Sequence, residues 1–199
     1  MAHVEWPLVV LDIDTIAMSL RAAHLDFGPP LTSSQMDAAQ ESFGLHFPPD
    51  LVALYSNLTL IGEGFLDWAD QSHDNIARIR AALDWPVDGL LFDVANNDLW
   101  LPEWGHRPAE DANALVVARQ YLGDVPQMIP LFSHRYLVSL PCRAGNPVLS
   151  VYQSDIIISG ADLEDYFLNE FSRNGRDRKD SMDTTYAGLA ADAIPFWGR

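Results

Sequence analysis

Apolar residues recur at helical spacing between residues 32 and 58. Thr32, followed three positions later by Gln35, makes a capping-box pattern; Met36, Ala39 and Phe43 then share one helix face, and Gly44 stops it. Pro48 and Pro49 open a second short helix, on which Leu51, Leu54, Tyr55 and Leu58 keep the i, i+3, i+4, i+7 spacing. Ahead of these, apolar residues from Val9 to Ala23 are irregularly spaced, and Gly28, Pro29 and Pro30 end whatever precedes them.

Beyond Gly62 and Gly64 the pattern shortens. Phe65 to Trp68 reads as a brief strand, and Ile76, Ile79 and Leu83 mark a third helix that ends before Trp85 and Pro86. Leu90 to Val94 reads as a buried strand, Asn96-Asn97-Asp98 as a turn, and Leu99 to Leu101 as its returning partner. A fourth helix is expected from about Pro108 to Tyr121. Three strand-like runs follow, Met128 to Phe132, Tyr136 to Leu140 and Val148 to Ser159, before Asp162 caps a last helix carrying Leu163, Tyr166, Phe167 and Phe171.

Helices first, hairpin-linked strands later and no regular βαβ alternation predict an α+β fold, a mixed, mainly antiparallel sheet with short helices packed around it. Residues 32–171 form the expected domain. Residues 1–31 are a leading extension, and residues 172–199 a charged tail whose Ile194, Phe196 and Trp197 could anchor its end.

Charge narrows the partners. The 199 residues carry a formal net charge of −16. Residues 1–171 hold 24 Asp and Glu against 7 Arg and no Lys, while residues 172–199 hold 4 against 5. Such a field repels phosphate backbones and anionic headgroups, so neither nucleic acid nor a membrane surface is an expected partner. One cysteine, Cys142, makes no internal disulfide, and Asp12 and Asp14 interrupt the apolar N-terminal run, which fits a cytoplasmic protein.

Candidate chemistry is sparse. Gly62-Glu63-Gly64 falls short of a phosphate loop. Asp67, Asp70, His73 and Asp74 could be drawn as a metal site for a hydrolase, but negative charge at a helix start accounts for the same residues, and no metal or cofactor is expected. Ser133-His134-Arg135 places reactive groups on alternating faces, as a hairpin connection would; Cys142 has no activating neighbour in sequence; Asp155 inside an apolar run suits a structural role. No catalytic residue is assigned.

The acid-rich middle stands out instead. Glu63 to Asp111 contains 11 acidic residues and 3 Arg, with Trp68, Trp85, Trp100 and Trp104 threaded through it. Aromatics beside carboxylates suit recognition of a cationic protein, which makes Asp67, Trp68, Asp70, Asp74, Asp93, Asp98, Trp100 and Trp104 the candidate partner-binding residues. The competing reading is that these tryptophans are core and the carboxylates a solvated face.

The segment LTSSQMDAAQESFGLHFPPDLVALY, residues 31–55, resembles the opening of the SUKH superfamily, with Gly44, Pro48, Asp50, Leu54, Tyr55 and Asn57 carrying the match. Phe65 to Trp68, Pro147 to Gly160 and Leu163 to Phe171 are similar to its early strand, closing strand and last helix. The resemblance implies a binding fold without catalytic residues: an immunity protein that neutralises a basic toxin domain of nuclease or deaminase class, or a regulatory adaptor with an endogenous partner.

Overall fold

The computed structural model describes residues 11–171 and 196–197. Among the described residues six helices and two antiparallel sheets make an α+β fold. In chain order the elements are α1 (Ile13–Ala22), β1 (Asp26–Gly28), α2 (Ser33–Phe43), α3 (Pro49–Tyr55), β2 (Thr59–Ile61), α4 (His73–Asn96), α5 (Asp111–Leu122), β3 (Met128–Phe132), β4 (Arg135–Val138), β5 (Val148–Tyr152), β6 (Asp155–Gly160) and α6 (Leu163–Glu170), with a 3-10 turn at Pro102–Trp104.

The local signals act as expected at α2, α3 and α6. Thr32 accepts from the Gln35 amide while the Gln35 side chain accepts from the Thr32 amide, and Gly44 closes α2 in the left-handed region at φ 66°. Pro49 opens α3, where its missing N–H costs nothing. Asp162 caps α6 through the Asp165 amide at 2.8 Å.

The β3-β4-β5-β6 meander divides two cores. On one face Ile129, Leu131, Leu137 and Val148 pack with α1, α2, α3, α6 and, through Ile79 and Leu83, the first half of α4; on the other Met128, Tyr136, Val138, Leu149 and Val151 pack with the second half of α4 and with α5. Residues 11–31 take part in this: Ile16 and Leu20 of α1 are wholly buried in the first core, and β1 pairs with β2. At the other end of the chain, Trp197 is buried in the second core and donates its indole N–H to the Pro126 carbonyl at 2.7 Å. Residues 172–195 of the expected tail lie outside the described residues.

Five expected elements differ. The third helix does not end before Trp85; α4 runs on to Asn96, so Leu90 to Val94 is helix and Leu99 to Leu101 is no returning strand. Pro86 lacks the N–H that would bond the Ala82 carbonyl four residues back. Tyr136 of β4 supplies the donor instead, its hydroxyl 2.9 Å from Ala82 O. Phe65 to Trp68 is irregular backbone, and the early strand is β2 at Thr59–Ile61. Finally, Val148 to Ser159 is not one strand: Gln153, at φ 58°, and Ser154 turn β5 into β6.

Candidate functional site

The residues expected to bind a partner fall into two groups near opposite ends of α4. From Asp74 to Asp93 the helix rises about 28 Å at 1.5 Å per residue. At the first end Asp67 accepts from the Ala69 and Asp70 amides, and Asp70 accepts from the amide and hydroxyl of Ser72, which itself caps α4. Asn75 ties this loop down by donating to the carbonyls of Asp67 and Asp70. Asp74 is fully exposed, 3.6 Å from the equally exposed His73 ring. Trp68 is buried between Phe43 and Phe47 in the first core. Among the described residues no three His, Cys, Asp or Glu side chains are grouped to hold a metal ion.

At the far end Trp104 is core, stacked on Tyr121 and edge-on to Trp100. Trp100 donates to the Gly105 carbonyl at 2.8 Å. Arg107 lies 5.7 Å from the Trp100 ring centre, pairs with Asp111 at 2.7 Å and donates to the Val94 carbonyl, filling part of the acceptor set that the end of a helix leaves open. Asp98 is exposed in the left-handed region at φ 53°. Asp93 is buried, accepting from the Ser154 amide at 2.8 Å and from the Asn97 side chain at 2.6 Å. Burial pushes its carboxyl up, but these bonds outweigh burial and hold it below the ordinary value.

Asp93 therefore fastens the β5–β6 turn to α4, and the turn lies so close at Gly89 that a Cβ there would come within 2.9 Å of Gln153 Cα. Beside this contact is a platform of large, exposed aromatic residues. Trp85, Phe92 and Tyr152 are 46%, 50% and 57% exposed, and the Trp85 and Tyr152 rings sit 6.4 Å apart at 60°. Trp85, Asp88 and Phe92 follow one another at i, i+3, i+7 along α4. Asp84, Asp88 and Asp155 are exposed around them, none held in an ion pair among the described residues. This stripe exists only if the helix continues through Pro86, so ending the helix there hides it.

Apart from Asp155, which lies exposed beside this platform, the remaining sequence candidates are structural or closed. Ser133 and His134 form the tight turn between β3 and β4, and Arg135 turns to Glu170 and Ser150. Asp155 begins β6 at the surface. The Cys142 thiol faces the carbonyls of Phe47 and His46, and partial burial together with the Asp50 charge raises its pKa, disfavouring the reactive thiolate. A cleft lined by Tyr55, Phe65, Asp67, Trp68 and Phe167 has about 30 Å³ of space, an order of magnitude below the roughly 300–1,000 Å³ of small-molecule sites. Among the described residues no helix is long and apolar enough to cross a membrane.

Set against family models, curated proteins and solved structures, the chain matches none of them.

Proposed function

We propose that the chain is an immunity-type binding protein that neutralises a basic toxin domain, of nuclease or deaminase class, by docking an acidic surface on it in the cytoplasm. The observation that carries this reading is the charge excess of residues 1–171, 24 acidic side chains against 7 Arg, on a body with a half-exposed aromatic platform among its carboxylates. Unpaired carboxylates speed encounter with a cationic surface, and exposed Trp and Tyr supply the apolar contact that charge alone lacks. The resemblance of residues 31–55 to the SUKH opening points to the same class.

Co-expression with any candidate toxin encoded beside it tests the reading. Growth should be rescued, and charge reversal at Asp67, Asp70 and Asp74 should slow association most at low salt, where a Debye length of about 30 Å at 0.01 M leaves surface charges unscreened. Failure to bind or rescue against any neighbouring toxin, together with a stable host-protein complex in a pulldown, would replace it with an adaptor role for an endogenous partner.

A further inference from the structure

We infer that Trp85, Phe92 and Tyr152 form the docking platform for that cationic partner, and that the platform selects arginine over lysine on it. The inference rests on the binding role proposed above and adds where the contact falls and which side chain makes it.

Three observations converge. First, the platform pairs aromatic faces with unpaired charge: the Trp85 and Tyr152 rings, 6.4 Å apart and inclined at 60°, are half exposed, and Asp84, Asp88 and Asp155 stand exposed around them. A large apolar patch rimmed by charge of one sign fits a partner segment of the opposite sign. Second, the two halves are held in register. Tyr152 sits on the β5–β6 turn, and the buried Asp93 carboxylate holds that turn on α4 through the Ser154 amide, so little ordering is left to do on binding.

Third, the chain already uses this chemistry internally. Arg107 lies 5.7 Å from the Trp100 ring centre while pairing with Asp111 at 2.7 Å. A guanidinium can stack flat on an aromatic ring and still present its planar fork to a carboxylate, whereas an ammonium is a compact, strongly hydrated point charge. The Trp85–Tyr152 rings with Asp88 and Asp155 offer the same pair of contacts to a guanidinium from outside.

The test compares labelled nona-arginine and nona-lysine by fluorescence anisotropy on the full-length protein. Charge attraction alone treats the two alike; two aromatic faces should favour nona-arginine by about tenfold. The Trp85→Ala, Tyr152→Ala double variant should erase that preference, weakening nona-arginine about tenfold more than nona-lysine. Both side chains are half exposed, and an unchanged near-ultraviolet dichroism spectrum outside the lost Trp band checks the fold. The Asp67→Asn, Asp70→Asn, Asp74→Asn variant, altered near the other end of α4, should weaken both peptides equally and keep the preference. A preference that survives the double variant, or none in the wild type, overturns the platform and leaves the acidic-binding role standing. No binding of either peptide overturns both. A concentration-dependent dimer abolished by Trp85→Ala would overturn the platform in favour of self-association.

Discussion

Replacing Tyr136 by Phe should destabilise the protein because of a proline 50 positions earlier in the chain. Pro86 has no amide hydrogen, so the Ala82 carbonyl takes its bond from the Tyr136 hydroxyl at 2.9 Å. Tyr136 is 1% exposed, so Phe fits the same space and removes only the donor. Leaving a carbonyl unsatisfied in such a place costs about 1–3 kcal/mol. For a chain of this size each kcal/mol moves Tm by about 2–4 °C, so Tm should fall by roughly 2–12 °C. Calorimetry on a double-mutant cycle with Pro86→Ala isolates the cause. In the Pro86→Ala background residue 86 regains an N–H four positions from Ala82 O, and Tyr136→Phe should then cost at least about 1 kcal/mol less. Equal costs in the two backgrounds, within about 0.3 kcal/mol, would refute the reasoning.

Two further outcomes follow from buried contacts elsewhere. Trp197→Ala should cost about 3–5 kcal/mol, since it removes a buried ring and its bond to Pro126 O; an unchanged urea midpoint would mean that the indole does not brace the second core. Burial raises the Asp50 carboxyl above its ordinary 3.8 despite the amides of Gly145 and Leu51, so the native state holds this proton more tightly than the unfolded chain. The stability contributed by Asp50 therefore declines as pH rises from the ordinary carboxylate range through the raised pKa, and is level above it. Asp50→Asn should remove that slope, and a wild-type advantage over the variant that grows with pH in urea titrations would contradict it.

Signals contained within a few residues were readable in the sequence. The Thr32–Gln35 box and the Asp162 cap complete their bonds inside one element, Pro49 needs no partner at a first helical turn, and α2, α3 and α6 stand where those residues place them. What could not be read depends on distant partners. A local rule ends a helix at Trp85-Pro86; the bond that carries it through comes from Tyr136. Likewise, Gln153 in the left-handed region is an uncommon turn residue, and the Asp93 carboxylate that receives the adjoining Ser154 amide is 61 positions away. The acid-rich middle was visible as composition, but composition assigns no faces. Asp93, Trp68 and Trp104 proved buried, while the stripe of Trp85, Asp88 and Phe92 emerged only once residues 85–96 were helical.

The central strands are walls of two rooms at once. In β4, Leu137 faces the first core while Tyr136 and Val138 face the second; in β5, Val148 faces one and Leu149 and Val151 the other. Melting either side strips the backing from strands on which the other depends. Although 199 residues could supply two separately folding units, loss of structure should be a single cooperative event. Amides of β4 and β5 should then exchange with solvent only through that global opening, and so be the slowest in the chain.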